Sequence, residues 1–387
     1  MPRTRAYLRA IETDTLVVGA GQAGLAAAYY LQRAGADYHV LEALPRVGDA
    51  WRRRWAGLRL FTPNRYNGLP GSPFPGAAYE LPSRLAVADY LEGYARVHGL
   101  RVVTHSPLVS LRQNPRSGGF EVETENTNDG SGGCGTVTWR TRDVVLATGA
   151  YRSPRVPGFA ERLPPALPHV HAAQLRDPAA WLPRGARHLL IVGAGASGHQ
   201  LAVQFAGDPA RPDRITLAGR DPGHLPRRVL GRDVYDYLYG LGLLPLRVDR
   251  APGRWLARTP TKGEIRVGEG VDRSARRHGI GRVGRIRDFA GGRFLTEEGT
   301  EVDDVDAVVF ATGYRNRYDF LDVPGALDGE QRPRHRLGVS PVPGLYWLGL
   351  HLMRRVNSSL LGGVGADARE VVHELLAARG RDRAGLA

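Results

Sequence analysis

Cysteine is nearly absent from this chain of 387 residues. Cys134 is the only one, so no disulfide can form within the chain. A mechanism that needs two redox-active cysteines in one polypeptide is excluded for the same reason. Because a reducing compartment suits a lone thiol, we expect the protein to be cytoplasmic.

Lysine is equally scarce. Lys262 is the only lysine, although the formal net charge is +14, and the many arginines are spread along the whole length. A surface that binds nucleic acid needs basic residues clustered on one face. The sequence therefore predicts no nucleic-acid partner.

Long apolar runs are absent as well. No stretch reaches the roughly 20 apolar residues that a transmembrane helix needs. Glu12 and Asp14 interrupt the N-terminal segment before any apolar run begins, so no signal peptide is predicted. Hydrophobic residues make up 42% of the chain, which is typical of globular proteins, and at roughly 150 residues per domain we expect two domains.

Glycine, in contrast, is plentiful, with 50 residues, and some of it belongs to an internal repeat. Each copy has the pattern of a buried strand, a Gly-x-Gly-x-x-Gly turn, a helix and a second strand. The first copy comprises strand 15–18, the turn from Gly19 to Gly24, helix 25–33 and strand 38–42. The second comprises strand 189–192, the turn from Gly193 to Gly198, helix 199–206 and strand 214–220. Two copies in this context predict two nucleotide-binding units.

The glycines of such turns have separate tasks. The first permits a tight turn, the second lets the backbone approach a pyrophosphate, and the third lets the helix pack closely on the strand, while helix N-terminal amides bind phosphate. We therefore predict cofactor contacts from both loops. The residues concerned are Gly19, Gly21, Gln22, Ala23 and Gly24 in the first unit and Gly193, Gly195, Ser197 and Gly198 in the second.

The residue at the end of the second strand in each unit predicts which dinucleotide that unit binds. Glu42 follows Gly24 by 18 positions, where a carboxylate can accept hydrogen bonds from the ribose of FAD or NAD. Arg220 stands at the corresponding place in the second unit, where a guanidinium can pair with the 2′-phosphate of NADPH. The alternative for Arg220 is a solvated surface arginine.

A second short motif, the Ala-Thr-Gly phrase, is also repeated. Two buried-strand runs end in Ala-Thr-Gly, where a turn of small residues can pass beside a cofactor. Its residues are Ala147, Thr148 and Gly149 in one copy and Ala311, Thr312, Gly313 and Tyr314 in the other.

Further segments resemble a known group of enzymes. Gly48-Asp49-Ala50-Trp51, the run 58–63 (LRLFTP), the run 225–233 (LPRRVLGRD) and the run 344–349 (GLYWLG) are similar to segments of flavin-dependent NADPH monooxygenases with two dinucleotide-binding domains. This group contains the flavin-containing monooxygenases, the Baeyer–Villiger monooxygenases and the YUCCA-like enzymes. The chain departs from the group at Asp49, where a glycine is expected, and near His171, where Leu175 replaces an aromatic residue.

The resemblance implies an α/β fold with two Rossmann-like dinucleotide-binding domains. It implies an FAD domain from residues 1–152 and 302–387, with an NADPH domain at 153–301 inserted between them. Trp51, Arg59 and Thr62 are implied as further cofactor-binding residues. The apolar stretch 235–244 predicts a helix, which we interpret as core or interface packing in preference to a substrate pocket.

The implied reaction uses NADPH to reduce flavin, which then captures O₂ as a C4a-hydroperoxide and oxygenates a small-molecule substrate, with nitrogen or sulfur favoured. Because the flavin supplies this chemistry, no catalytic triad is needed. Asn64 is a candidate donor near the flavin, or else a turn residue, and Arg227 is a candidate phosphate clamp, or else a solvated arginine. No metal site is expected from His169 and His171.

Three alternatives stay open at this point. The chain is compatible with an NADPH-dependent flavin reductase or oxidase, with a Baeyer–Villiger oxygenation of a carbonyl, and with a non-catalytic flavoprotein. The composition is compatible with bacterial secondary metabolism. The oligomeric state is open, with a homodimer as one option.

Overall fold

The computed structural model describes residues 10–114, 118–126, 135–258 and 266–384. The loop predicted at 126–135 lies almost wholly outside the described residues. The strands are β1 Ile11–Val18, β2 Tyr38–Leu41, β3 Val102–Val103, β4 Leu108–Gln113, β5 Phe120–Asn126, β6 Gly135–Leu146, β7 Ser153–Pro154, β8 His169–His171, β9 His188–Val192, β10 Arg214–Ala218, β11 His224–Leu225, β12 Arg228–Val229, β13 Arg232–Asp233, β14 Arg266–Val267, β15 Ile280–Val283, β16 Ile286–Ala290, β17 Arg293–Thr296, β18 Glu301–Val302, β19 Ala307–Phe310, β20 Tyr314–Arg315, β21 Leu321–Asp322 and β22 Leu345–Trp347.

The helices are α1 Gln22–Arg33, α2 Asp49–Arg52, α3 Arg84–Val97, α4 Pro178–Trp181, α5 Ala196–Ala206, α6 Val234–Gly240, α7 Gly253–Arg258, α8 Val271–His278 and α9 Val364–Ala384. Two short 3₁₀ helices cover Asn64–Tyr66 and Gly158–Arg162. No helix in the described part of the chain combines the length and the apolar character needed to cross a membrane.

The first sheet contains both strands of the first repeat copy, β1 and β2. Its order is β21-β4-β5-β6-β1-β2-β3, and β22 also pairs with β6. β1 is parallel to both β2 and β6. Residues 16–18 are buried on both sides of the sheet, as expected for a continuous apolar run in a parallel strand.

Helices α1, α3 and α9 cover one face of this sheet. The side of α1 that enters the core consists largely of alanine, at residues 26–28, and leucine. Because alanine has a short side chain, α9 can approach α1 closely, and Val371 and Leu375 of α9 are fully buried there. The aromatic residues Phe120, Trp139 and Trp347 fill the opposite face.

The second sheet is entirely parallel, in the order β15-β10-β9-β19-β8. Helices α5 and α8 pack on one face, and the antiparallel strands β16, β17 and β18 lie on the other. Two Rossmann-like units are therefore present, with the second between segments of the first along the chain. The α/β fold class expected from the sequence is confirmed.

Strand β19, at 307–310, belongs to the second sheet because it pairs with β9 and β8. The limit expected at residue 301 falls before this strand. A division there would separate the second sheet from one of its central strands. The strand before the second Ala-Thr-Gly phrase, β19, belongs to the second sheet, just as the strand before the first phrase, β6, belongs to the first sheet.

Candidate active site

The first glycine loop joins β1 to α1. Gly19 has a φ of 106°, and a Cβ there would lie 2.6 Å from the carbonyl oxygen of Ala147. A Cβ on Gly24 would lie 1.8 Å from the carbonyl oxygen of Gly19. A Cβ on Gly21 would meet no protein atom within 4 Å. The chain's own packing therefore requires the first and third glycines, while the second faces open space where a pyrophosphate can approach.

The second loop repeats this geometry between β9 and α5. A Cβ on Gly193 would lie 2.3 Å from the Ala311 carbonyl oxygen, and one on Gly198 would lie 1.8 Å from the Gly193 carbonyl oxygen. A Cβ on Gly195 would again meet nothing within 4 Å. The structure thus explains why the Ala-Thr-Gly phrase is repeated, since Ala147 and Ala311 each support the first glycine of one loop.

The helices that follow begin without a capping side chain. Gly21 and Gly195 are the N-cap residues of α1 and α5, and neither helix has a side-chain cap hydrogen bond. Helix N-terminal amides left without an intrahelical partner form an anion-binding site. Gln22 and Ser197 lie partly exposed in these first turns, whereas Ala23 is buried in the core. Both loops fit a dinucleotide phosphate.

Glu42 lies immediately after β2 and reaches back to the first loop. Its Oε2 accepts a hydrogen bond from the Ala20 amide at 3.0 Å, and its Oε1 accepts one from the Leu44 amide at 3.0 Å. Burial raises the pKa of Glu42, although these hydrogen bonds oppose the rise. Each carboxylate oxygen retains a second acceptor site, so the group can also accept from a ribose hydroxyl.

Arg220 occupies the matching place after β10. Its side chain is exposed, and it follows Gly219, whose φ of 139° turns the chain back toward the second loop. A Cβ on Gly219 would lie 2.8 Å from the Ala194 amide nitrogen. The chain after β10 therefore passes directly against the second glycine loop, next to the position of Arg220.

The segment expected to face the flavin is held by hydrogen bonds within the protein. Thr62 Oγ1 donates to the Asn67 side chain at 2.6 Å, and Asn67 Nδ2 donates to the Thr62 carbonyl at 2.9 Å. Arg59 Nη1 donates to the Leu81 carbonyl at 2.8 Å. Trp51, on α2, packs against the core between the first sheet and its helices. These contacts fix the position of the segment, and its cofactor contacts stay a prediction.

Asn64 is buried in this segment. Its Nδ2 donates to the Ala77 carbonyl at 3.0 Å, so one amide proton is already used within the protein. Its Oδ1 is buried and has no hydrogen-bond partner among the described residues. The expected donor role toward flavin or nicotinamide stays a prediction, and the geometry offers an acceptor as well.

Arg227 makes contacts that the sequence did not suggest. Its Nε lies 2.7 Å from an Asp233 carboxylate oxygen, and its Nη1 donates to the Phe61 carbonyl at 2.6 Å. The guanidinium also lies 5.8 Å from the ring centre of Tyr235. Arg227 therefore ties the inserted segment to the flavin-facing segment. A phosphate-clamp role stays a prediction that would require these contacts to be exchanged.

The two Ala-Thr-Gly phrases end near a cluster that joins the units. Arg54 donates to the Tyr314 hydroxyl and lies 5.3 Å from the centre of the Tyr314 ring. His171 Nε2 lies 3.0 Å from the Gly313 carbonyl oxygen, and Nδ1 accepts from the Ala173 amide. Burial lowers the pKa of His171, the hydrogen bond to the Gly313 carbonyl opposes this shift, and the Arg54 charge adds to it.

The threonine and glycine residues of the two Ala-Thr-Gly phrases are partly or fully exposed. Thr148 and Thr312 are half-buried, and Gly149 and Gly313 are exposed. Thr312 Oγ1 donates to the Arg155 carbonyl. Sequence reasoning missed Arg54 because its partners are more than 90 positions away, and only the run of three arginines at 52–54 marked it.

Comparisons with known proteins agree with this geometry. The model of the pyridine nucleotide-disulphide oxidoreductase family matches residues 16–224. A CzcO-like oxidoreductase of Geobacillus kaustophilus (strain HTA426) is 31% identical over 363 residues, covering 94% of this chain and 98% of the relative. Indole-3-pyruvate monooxygenase YUCCA4 of Oryza sativa subsp. japonica is 27% identical over 399 residues, covering 93% of this chain and 87% of the relative.

A solved structure covers nearly the same length. The flavin-containing monooxygenase of Stenotrophomonas maltophilia has a TM-score of 0.72 at 25% identity and covers 95% of this chain and 99% of that chain. The fold and the paired glycine loops define a flavin-dependent oxidoreductase with two dinucleotide-binding units. The chain belongs to the pyridine nucleotide-disulphide oxidoreductase family and is an enzyme related to its flavin monooxygenases.

Proposed function

We propose that the enzyme is a single-component monooxygenase that uses FAD and NADPH and oxygenates a nitrogen or sulfur atom of a small molecule in the cytoplasm. One oxygen atom of O₂ enters the substrate, and the other leaves as water with the electrons of NADPH. The observation that carries the proposal is the pair of open-faced glycine loops in one chain, each supported by its own Ala-Thr-Gly strand end.

FAD, when bound, accepts hydride and activates O₂. In this proposal the residues of the chain bind and orient the two cofactors. The first loop and the N-terminus of α1 hold the FAD pyrophosphate, and Glu42 accepts from its ribose. The second loop holds the NADPH pyrophosphate, and Arg220 pairs with the 2′-phosphate.

We assign FAD to the unit formed by residues 1–152 and the C-terminal segment, and NADPH to the inserted unit that begins at 153. Because β19 completes the second sheet, we move the end of the inserted unit from 301 to about residue 315. The antiparallel pair of β7 and β20, at 153–154 and 314–315, then forms the double connection between the units.

Dithiol chemistry within this chain is excluded although the family description includes disulphide oxidoreductases. A dithiol–disulfide couple within one chain needs two cysteines, and Cys134 is the only one in the sequence. Electrons from the flavin must therefore pass to O₂ or to another external acceptor. This favours the monooxygenase members of the family as guides to function.

Carbonyl oxygenation is a second candidate. One relative, at 27% identity, is an indole-3-pyruvate monooxygenase, and indole-3-pyruvate is a 2-oxo acid. Sulfides, amines and carbonyl compounds must therefore be offered in parallel to the enzyme.

The experiment is a product screen on the FAD-loaded enzyme with NADPH and O₂. We expect a sulfoxide or N-oxide whose yield matches the NADPH consumed, with little hydrogen peroxide. Peroxide equal to NADPH with every substrate would support an oxidase. A product formed only from carbonyl compounds would support the second candidate.

A further inference from the structure

A cavity of about 410 Å³ that is open to solvent lies where the two units meet. Three parts of the chain line it: the loop that follows the flavin-facing segment, helix α6 of the inserted unit, and the residues before α9. Its walls include Arg65, Tyr66, Leu69, Pro73, Tyr239 and Gly362. The volume lies in the range of small-molecule sites.

An aromatic pair forms one wall. The rings of Tyr66 and Tyr239 are parallel within 2°, with centroids 4.4 Å apart. Tyr66 comes two residues after Asn64 in the first unit, whereas Tyr239 lies on α6. The wall therefore exists only when α6 is packed against the first unit.

Charged and polar groups behind the wall hold Tyr66 in place. The Tyr66 hydroxyl donates to Asp236 Oδ1 at 2.5 Å, and the Tyr79 hydroxyl donates to Asp236 Oδ2 at 3.0 Å. Arg65 lies 3.6 Å from the same carboxylate. These contacts fix the ring before a ligand arrives, which reduces the ordering cost of binding.

The other walls of the cavity contain few large side chains. A Cβ on Gly362 would lie 1.8 Å from the Tyr66 carbonyl oxygen, so backbone lies against backbone at this side. The Tyr239 hydroxyl is buried, and the Asn357 amide, which is 3% exposed, lies beside it. The cavity therefore combines aromatic surface with backbone, while the Asn357 amide lies outside the lining.

Charge limits the ligand further. Arg65, which is about half exposed, is the cation in the lining, and Asp236 is turned toward the tyrosine hydroxyls outside it. A positively charged ligand would lie near the Arg65 guanidinium, and the described residues of the lining include no carboxylate to pair with that ligand. Planar groups without a positive charge are favoured because they can pack along the aromatic rings.

We propose that this cavity binds the substrate, and that the substrate is a molecule without positive charge that carries a planar ring, such as an aryl thioether. The inference rests on the proposed function and narrows it, since it disfavours protonated amines and open-chain sulfides. Tyr66 and Tyr239 determine this specificity.

The test measures binding and turnover separately. Titration calorimetry on the FAD-loaded enzyme uses methyl p-tolyl sulfide, di-n-propyl sulfide and N,N-dimethylbenzylamine as probes. We expect Tyr239→Leu to weaken binding of the aryl sulfide about tenfold and to raise its KM with kcat little changed, because the stacked wall is lost. Tyr239→Phe keeps the ring and should stay within about threefold of the parent.

Tyr237→Leu is the matched control. Tyr237 lies on the same helix, but its hydroxyl donates to the Val229 carbonyl and its side chain does not line the cavity. Equal aryl sulfide binding by the parent and Tyr239→Leu would overturn the inference, as would equal binding of all three probes. Selective aryl sulfide binding without sulfoxide formation would support the inference and contradict the proposed function.

Discussion

The two glycine loops are alike in their backbone and different in the residue that follows. In both, the third glycine is so close to the first that a Cβ would lie 1.8 Å from its carbonyl oxygen, and the second glycine faces open space. After β2, however, Glu42 is partly buried and bound to backbone amides, whereas Arg220 after β10 is exposed. The shared backbone fits a dinucleotide, and we propose that the side chain after the second strand selects which dinucleotide binds.

The largest effect should come from a change at the third glycine. In Gly24→Val, the new side chain must displace the Gly19 carbonyl, and we expect the free energy of unfolding to fall by about 3 kcal/mol or more. Gly21→Val should instead leave the fold intact and yield protein without FAD. Thermal unfolding and visible absorbance of the purified variants measure the two outcomes. A yellow Gly21→Val protein would contradict the assignment of the first loop.

The same change in the second loop should affect the other cofactor. We expect Gly195→Val to retain FAD, because its own side chain meets no protein atom, and to lose reduction by NADPH. The bound FAD would still be reduced by dithionite. If Gly195→Val lost its FAD and kept NADPH binding, the assignment of cofactors to units would be reversed.

The Arg220 position tests cofactor choice. Arg220→Ala should weaken NADPH about tenfold or more and leave NADH nearly unchanged, because the 2′-phosphate loses a charge-assisted partner. The ratio of KM values for the two nucleotides gives the answer. Arg228→Ala, a nearby exposed arginine, is the control. An equal loss for both nucleotides would reject a 2′-phosphate role.

The smallest effect concerns the ionisation of Glu42. Burial raises the pKa of Glu42 above its ordinary 4.5, so the folded FAD-free protein binds a proton more tightly than the unfolded chain. Its stability should therefore fall as pH rises from about 4.5 through the folded-state pKa. Glu42→Gln should remove that slope in urea unfolding. An unchanged slope would show that another group is responsible.

The local parts of this account could be predicted from the sequence. Glycine spacing, the flanking strands and the residues Glu42 and Arg220 are close together along the chain, and the structure confirms the strands and helices around both loops. Helix α1 begins at Gln22, which extends the helix expected at 25–33. Such extensions arise because helix ends depend on packing more than on pattern.

Contacts between distant segments could not be predicted. Arg227 pairs with Asp233 and reaches Phe61, 166 positions away, and no periodicity encodes such a contact. Trp55 lies in the core of the second unit although it belongs to the first segment of the chain. The helix predicted within 235–244 ends at Gly240, and Leu241 and Leu243 are exposed, so that stretch is not core packing throughout.

The most direct test of the central claim is anaerobic mixing of the purified, FAD-loaded enzyme with NADPH while the visible absorbance is followed. Electron transfer from the second site to the first predicts rapid loss of the oxidised flavin bands, faster with NADPH than with NADH. Bands that persist with NADPH but disappear with dithionite would contradict the claim, as would a protein that stays colourless after incubation with FAD.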